Sequence, residues 1–267
     1  MDAWRLDVID GAAVRRAGVS TSSPLWFVHA VGDSSQSFAP LFPTPLERAF
    51  DLFAPDLPGS GVGPNPFAET SIDSLAGWLA GAIQGGTSAG PVCLVGHSLG
   101  AAVAVRTAHL LKDRIAGVFS IEGNLTGADA YLSGLAPTFT TPEAFHDHLL
   151  QQVRAMAETS VPTRSHSLWR YHASLSAASP LAIWTLGRSA HAASVDDRLG
   201  DEYRALGVPS LYYWSRDNTP QATQHYLARH NVSNRSFIGG HWPMVEDPQQ
   251  TAAAISAFFA PLRAGLQ

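Results

Sequence analysis

The sequence is poor in the features that mark secreted, membrane-spanning and nucleic-acid-binding proteins. Its 267 residues include one cysteine, Cys93, so no disulfide can form within the chain. No apolar run approaches the roughly 20 residues that a membrane span needs, and the N-terminus has no apolar signal-peptide core. The net charge of −5 provides no basic surface for nucleic acid or acidic lipids. We therefore expect a soluble, cytoplasmic protein with no nucleic-acid or membrane partner.

The chain also lacks internal repeats, low-complexity tracts and linker-like segments. Hydrophobic residues make up 45% of it and charged residues 15%, which is enough apolar material for a sizeable core. Strands are predicted at 4–9, 12–17, 24–28, 49–54, 92–95, 115–121, 208–214 and 232–238. Asp10-Gly11 favours a hairpin between the first two strands. Alternation of the other strands with helical patterns predicts an α/β fold, with a mostly parallel sheet flanked by helices.

One region of the chain has no strand signal. Between residues 125 and 204 the pattern is helical, and Thr141 followed by Pro142 predicts the start of a helix that runs to about 157. Further helices are predicted at 71–84, 101–108, 168–175, 180–186, 220–229 and 248–262, the one at 220–229 with Thr219 as its N-cap. We interpret 125–204 as a helical cap inserted into a core domain formed by 1–124 and 205–267.

The strongest chemical signal is the sequence VCLVGHSLGAAVAV at residues 92–105. A short apolar strand leads into Gly96-His97-Ser98-Leu99-Gly100, and a helix of small residues follows. Strand, tight turn and helix are the context that a G-x-S-x-G nucleophile elbow requires, because the glycines let strand and helix approach closely. The pattern predicts Ser98 as a nucleophile, which needs a general base to become reactive.

Four segments of the chain resemble the alpha/beta hydrolase superfamily: VHAVGDSS at 28–35, APDLPGSGVG at 54–63, GHSLG at 96–100 and GGHWPMVEDP at 239–248. The resemblance covers nearly the whole chain and implies the alpha/beta hydrolase fold, with catalytic groups on loops beyond the carboxyl ends of the strands. It implies His241 as the general base, since the family places its histidine after the last strand. It also implies an oxyanion hole formed by the backbone N–H groups of Val31 and Leu99. Ala30 stands where the family commonly has glycine.

Two carboxylates are candidates for the acid that would orient His241. Residues 214–218, WSRDN, resemble the family's W-G-x-x-D pattern, but the expected aspartate falls on Asn218 and Asp217 comes one position early. Some branches of the family take the acid instead from the end of the strand after the nucleophile strand, which here is Glu122. We favour Glu122 and keep Asp217 as the alternative, because either could hold the imidazole tautomer.

Histidines in the predicted cap do not suggest a metal site. His146 and His148 lie two positions apart on a predicted helix, so their side chains diverge. We expect no metal and no cofactor. His97 is expected to shape the elbow, and most cap aromatics are expected to pack within the cap. The side chains expected to contact the substrate are Ala30, His97, Trp169, Trp184 and Trp242.

Three arginines of the predicted cap, Arg164, Arg170 and Arg188, have no acidic residue among residues 160–194. They form either a solvated face or a site for a substrate carboxylate. The resemblance as a whole implies a serine hydrolase for a small to medium, largely apolar ester or lactone. A thioesterase and a carbon–carbon bond hydrolase would use the same three groups, and a receptor-like binding protein without turnover would share the fold. The serine at position 98 argues against epoxide hydrolase and dehalogenase chemistry, which use aspartate there.

Overall fold

The computed structural model describes residues 4–9, 11–18, 22–87 and 90–264, and in this part of the chain eight strands form one sheet. The strands are β1 (Arg5–Ile9), β2 (Ala12–Gly18), β3 (Ser23–Val28), β4 (Phe50–Pro55), β5 (Val92–His97), β6 (Ile115–Ile121), β7 (Ser210–Ser215) and β8 (Asn234–Phe237). Their order in the sheet is β1-β2-β4-β3-β5-β6-β7-β8. The pairs β1–β2 and β2–β4 are antiparallel, and the other five are parallel.

The predicted fold class is confirmed, and the strands differ from prediction mainly at their ends. β1 and β2 form the expected antiparallel hairpin; Asp10, on which part of that prediction rested, lies outside the described residues. β8 is shorter than predicted. Val232 belongs to the turn after the preceding helix, where its N–H donates to the carbonyl oxygen of Leu227, and Ile238 is exposed beyond the strand. Apolar character at these two positions made the strand look longer than it is.

Helices connect the strands and fill the segment between β6 and β7. They are α1 (Leu46–Ala49), α2 (Ile72–Gly86), α3 (Leu99–Leu111), α4 (Pro142–Thr159), α5 (Pro162–Ala177), α6 (Pro180–Ala193), α7 (Arg198–Arg204), α8 (Gln221–Arg229), α9 (Pro243–Glu246) and α10 (Pro248–Ala264). Short 3-10 turns occur at Ser35–Leu41, Lys112–Arg114, Gly127–Ala130, Ser133–Thr138 and Val195–Asp197. None of the helices in the described ranges is long and apolar enough to cross a membrane.

Helices α5 and α6 are longer than the sequence pattern predicts. α4 begins as expected, with the Thr141 hydroxyl accepting a hydrogen bond from the N–H of Ala144 at 3.2 Å. α5 begins already at Pro162, because proline is favoured at the first helical position even where the next residues are polar and carry no apolar period. α6 continues to Ala193 through small residues that also lack such a period. The segment between β6 and β7 contains only helices and turns in the described ranges.

The core lies on both faces of the sheet, and β4 and β5 are buried at every position. In β5, Val92 and Leu94 pack against one side, and Cys93 and Val95 pack against the other. A strand covered on both faces reads as a continuous apolar run, which is why β5 was visible in the sequence. Burial of each such side chain stabilises the fold by about 1.5–3 kcal/mol, so the end of β5 is a rigid base for the turn that follows.

Candidate active site

The turn that carries Ser98 joins β5 directly to the first residue of α3. Its backbone is strained, with φ 52° and ψ −129° at Ser98. The N–H of Ser98 donates to the carbonyl oxygen of Ile121 at the end of β6, at 2.9 Å. A non-glycine residue in such a conformation costs about 1–3 kcal/mol and persists only where the surrounding structure holds it; residues of this kind cluster at functional sites.

Gly96 and Gly100 allow α3 to approach the strands closely. A Cβ atom on Gly96 would overlap the backbone of Gly100 and Ala101, and one on Gly100 would overlap the carbonyl oxygens of Val28 and His29. The start of α3 therefore packs against the end of β3. The N–H of Leu99, at the first position of α3, has no acceptor within its own helix.

His241 faces the same small cavity as Ser98. The cavity has a volume of about 30 Å³, and Ala30, Val31 and Trp242 also line it. In the described structure the polar contacts of the ring are at Nδ1, which lies 3.3 Å from Oε2 of Glu122 and 3.2 Å from the amide nitrogen of Asn218, and no hydrogen bond joins the ring to the Ser98 hydroxyl. Nε2 of His241 is thus unpaired. Catalytic hydrogen bonds are often long in unliganded structures and shorten when substrate is bound.

Glu122 directly follows β6 and has a left-handed backbone, φ 48°, and its carboxylate is buried. Oε1 accepts hydrogen bonds from the Ser215 N–H and from the Thr219 hydroxyl, both at 2.6 Å. Oε2 accepts one from the Asn218 side-chain amide at 2.5 Å and lies 3.3 Å from Nδ1 of His241. Four donors converge on this carboxylate. Their hydrogen bonds offset the free-energy cost of burying its negative charge away from water.

This arrangement determines the tautomer of His241. A carboxylate only accepts hydrogen bonds, so Nδ1 must carry the proton that points to Glu122. Nε2 is then unprotonated and able to take a proton from the cavity side. The amide nitrogen of Asn218 lies 3.2 Å from Nδ1 and donates to the same Oε2, which holds the carboxylate against the ring. Asn218 therefore stands beside the ring at the position where the sequence pattern leads one to expect the acid.

Thr219 does not cap α8, contrary to the prediction. Pro220 is the N-cap of that helix and provides no side-chain hydrogen bond. The Thr219 hydroxyl is bonded to Glu122 instead. A buried carboxylate is the stronger acceptor, because hydrogen bonds to charged groups stabilise more than neutral ones.

Asp217, the alternative acid, lies near the surface and faces another partner. Its carboxylate is 43% exposed and forms an ion pair with Arg164 of α5 at 2.8 Å. Arg164 also donates to the carbonyl oxygen of Gly239 at 3.0 Å. Among the described residues no hydrogen bond or ion pair joins Asp217 to His241. The structure thus brings Glu122, rather than Asp217, to the imidazole.

His97 contacts the loop that carries His241 and does not line the cavity of Ser98. It is fully buried, its Nε2 donates to the carbonyl oxygen of His241 at 2.8 Å, and the two rings pack with centroids 4.8 Å apart. Burial, reinforced by the neighbouring His241, lowers the pKa of His97 well below its usual value, so this ring remains neutral. The expected substrate contact of His97 is corrected accordingly, because a buried neutral ring can only position the loop.

The loop after β3 is fixed by the ring of His29. The N–H of Leu57 donates to Nε2 of His29 at 3.0 Å, so Nδ1 carries the proton and donates to the carbonyl oxygen of Ala30 at 2.8 Å. The carbonyl of Ala30 and the N–H of Val31 belong to one trans peptide and point in opposite directions. The N–H of Val31 therefore points away from His29. The Tyr171 hydroxyl holds the same loop by donating to the carbonyl oxygen of Val31 at 3.0 Å.

Of the other side chains expected to contact the substrate, two line the cavity of Ser98 and two do not. Ala30 and Trp242 line the cavity of Ser98. Trp184 lies in a separate groove and donates to the carbonyl oxygen of Ala136 at 3.0 Å, and Trp169 is 42% exposed and packs its edge on His172. The expectation for Trp184 and Trp169 is corrected, because neither side chain lines the cavity of Ser98.

Tyr131 is a cavity residue that the sequence analysis did not single out among the aromatic residues of the predicted cap. It lines the space above Ser98 together with Asp129 and Leu132. Although 43% of its surface is exposed, burial of the hydroxyl group, reinforced by the negative charges of Glu122 and Asp129, raises the pKa of Tyr131 to about 12. Tyr131 therefore remains a hydrogen-bond donor across the neutral range. No spacing signal in the turn at Gly127–Ala130 could have found it.

Comparison with known proteins is decisive for the family. The sequence profile described as the alpha/beta hydrolase family matches residues 27–254. The chain belongs to the alpha/beta hydrolase family. The matched range contains Ser98, Glu122 and His241, so all three lie in the family's common region. No curated protein sequence matches this alpha/beta hydrolase.

Solved structures of three hydrolases resemble this alpha/beta hydrolase along nearly its whole length. A thermophilic esterase from Thermogutta terrifontis has a TM-score of 0.73 at 15% identity, covering 98% of this chain and 100% of that chain. The N-acyl homoserine lactonase AidH has a TM-score of 0.74 at 15% identity, covering 97% and 96%. E-2-(Acetamidomethylene)succinate hydrolase has a TM-score of 0.73 at 22% identity, covering 96% and 99%. At these identities the likeness shows a common fold.

Proposed function

We propose that this alpha/beta hydrolase is a serine hydrolase that cleaves a carboxylic ester or lactone through an acyl-enzyme on Ser98. The observation that carries the proposal is one cavity that Ser98 and His241 share, with Nδ1 of His241 held by the buried carboxylate of Glu122. Nucleophile, base and orienting acid are the three groups that this chemistry needs. Each comes from the end of a different parallel strand or the loop beyond it.

Acylation begins at the nucleophile. Nε2 of His241 accepts the Ser98 proton while Ser98 Oγ attacks the ester carbonyl carbon, and the imidazolium that forms is stabilised by Glu122. The carbonyl oxygen becomes an oxyanion, which the N–H groups of Val31 and Leu99 bind. Such donors supply about 3–4 kcal/mol each of transition-state stabilisation.

The tetrahedral intermediate then loses the alcohol. Nε2–H of His241 gives its proton to the leaving oxygen, and the acyl group stays on Ser98. A water molecule attacks the acyl carbon while His241 accepts one of its protons, and the carboxylic acid leaves as Ser98 regains its hydrogen. The net reaction is an ester and a water molecule giving a carboxylic acid and an alcohol.

The space around Ser98 supports a short acyl group. Its cavity has only about 30 Å³, which is much smaller than the engineered cavity of about 150 Å³ that holds a benzene molecule. Behind the loop of Ala30 and Val31 only about 10 Å³ remains between apolar side chains that include Leu57, Leu75 and Ile183. An acetyl group is therefore the expected acyl part, and long fatty acyl chains are disfavoured.

Rapid mixing with p-nitrophenyl acetate tests the proposal. We expect a burst of p-nitrophenol equal to about one molecule per active site, because acylation by an activated ester precedes slower hydrolysis of the acyl-enzyme. Mass spectrometry of quenched enzyme should place the added acetyl group on the peptide that carries Ser98. Ser98→Ala is the control and should show neither burst nor adduct. A Ser98→Ala enzyme that keeps the burst would rule out this nucleophile, and wild-type enzyme with neither signal would favour a binding protein.

A further inference from the structure

A second cavity of about 240 Å³ shares two lining side chains, Tyr171 and Trp242, with the cavity of Ser98. We call it the outer cavity. Asp33, Arg170 and Ser174 contribute its polar lining. An engineered cavity of about 150 Å³ holds a benzene molecule, so the outer cavity has room for an aromatic ring that carries a substituent.

The outer cavity lies on the side from which an alcohol would leave. The leaving oxygen must receive its proton from His241, so the alcohol part of an ester projects toward that ring. Trp242 follows His241 in the chain and packs edge-on against it, with ring centroids 4.8 Å apart. The acyl side offers only the small spaces described above. The larger part of the substrate therefore fits the outer cavity, over the rings of Tyr171 and Trp242, which pack on each other with centroids 4.9 Å apart and line both cavities.

Arg170 is the cation of this cavity, and its charge is not neutralised by a direct partner. Its Nη2 donates to the carbonyl oxygen of Gln36 at 2.8 Å, and within the described ranges no carboxylate lies within ion-pair distance of it. Most of its five N–H donors thus remain for a ligand. The other two arginines among residues 160–194 have different partners. Arg164 is paired with Asp217, and Arg188 stacks on Trp184 in the separate groove.

The acidic group of the outer cavity does not cancel Arg170. Asp33 is buried, with Oδ1 accepting from the Ser34 N–H at 2.8 Å and Oδ2 from Nε1 of Trp242 at 3.2 Å. Burial raises the pKa of Asp33, and the N–H donors of Ser34 and Trp242 already occupy its two carboxylate oxygens. Burial also lowers the pKa of the neighbouring Arg15; Asp56 opposes this shift and the charge of Arg170 adds to it.

We propose that Arg170 binds an anionic group on the alcohol part of the substrate, so that the preferred substrates are short-acyl esters of aryl alcohols bearing a carboxylate. A planar guanidinium recognises a carboxylate through two parallel hydrogen bonds. The inference rests on the proposed esterase function and extends it by naming the substrate class. The sequence left two interpretations of the arginines open, a solvated face and a site for a substrate carboxylate. The inference selects the second for Arg170.

The test compares two esters that differ in one charge, 4-acetoxybenzoate and methyl 4-acetoxybenzoate. Each kcat/KM is normalised to the rate of hydroxide-catalysed hydrolysis, which removes the difference in leaving-group reactivity. We expect the wild-type enzyme to prefer the carboxylate by about 10- to 100-fold, the usual effect of a charge-assisted hydrogen bond. Arg170→Gln should remove the preference, mainly through KM. Arg188→Gln, the matched control in the separate groove, should retain it.

Two further measurements make the outcomes distinct. The product 4-hydroxybenzoate should bind wild-type enzyme in calorimetry, and Arg170→Gln should weaken that binding by a similar factor without changing the melting temperature. Phenyl hydrogen succinate, which carries its carboxylate on the acyl side, should gain nothing from Arg170. An enzyme that hydrolyses both acetoxybenzoates equally well, or that favours the succinate through Arg170, would overturn the inference and leave the esterase proposal standing. Absence of the p-nitrophenol burst would remove the esterase proposal itself.

Discussion

Glu122→Gln is expected to lower kcat by about 10,000-fold, the size of effect that loss of a triad acid has in serine hydrolases. The amide oxygen of the new side chain can still accept from Ser215 and Thr219. Its NH₂ group then replaces Oε2 and meets two donors, the Asn218 amide and Nδ1 of His241. Nδ1 must give up its proton to accept from that NH₂ group, and the proton moves to Nε2. Nε2 can then no longer take the Ser98 proton.

Steady-state hydrolysis of p-nitrophenyl acetate by three variants measures this effect. Asp217→Asn is the matched control, and we expect it to lose less than tenfold, since Asp217 is bonded to Arg164. The double variant Glu122→Gln with Asn218→Asp should recover at least tenfold over Glu122→Gln alone. Its new carboxylate stands where the Asn218 amide already lies 3.2 Å from Nδ1. A larger loss in Asp217→Asn than in Glu122→Gln would transfer the acid role to Asp217.

Gly100→Ala is expected to destabilise the fold by about 3 kcal/mol, because the added methyl group would overlap two backbone carbonyl oxygens, of Val28 and His29. Backbone atoms of a central strand cannot rotate away as a side chain can. At roughly 2–4 °C per kcal/mol for a chain of this size, the melting temperature should fall by about 6–12 °C. Calorimetry or circular dichroism at the helical band measures it.

Gly77→Ala is the matched control for that substitution. Gly77 also lies in a helix, α2, but no atom lies within 4 Å of the position that its Cβ would take. The same chemical change should raise stability there by about 0.5–1 kcal/mol, since alanine favours a helix interior over glycine. Equal melting temperatures for the two variants would show that α3 does not press against the end of β3.

The sequence predicts the elements whose pattern is local. β5 is apolar from Val92 to Val95 because both its faces are buried there, and the glycines around Ser98 are required by close backbone contacts. The lengths of α5 and α6 were underestimated because their ends are polar or small and take their stability from packing. Trp184 and Trp169 were assigned to the pocket on residue type alone, and only the rotation of a helix about its axis decides which way such side chains face.

The sequence predicts the residues of the candidate site that follow a strand. It does not predict the residues that reach the site from other parts of the chain. Ser98, Glu122 and His241 all come directly after strands or in the loop beyond them, so sequence order was enough to bring them to one edge of the sheet. The hydrogen bonds of Thr219 and Asn218 to Glu122 were not visible, because they join segments almost a hundred residues apart. The same holds for Arg170, whose place beside Tyr171 and Trp242 depends on how α5 lies over the loops.

The complete burial of Cys93 turns the chain's one thiol into an internal reporter. Cys93 lies in the middle of the sheet with no exposed surface, so an alkylating reagent can reach it only when β3, β5 and β6 separate. The rate of alkylation should therefore follow the population of opened molecules. Loss of the unmodified Cys93 thiol over time would rank the glycine variants and the Glu122 variants by global opening, with no dependence on enzyme activity.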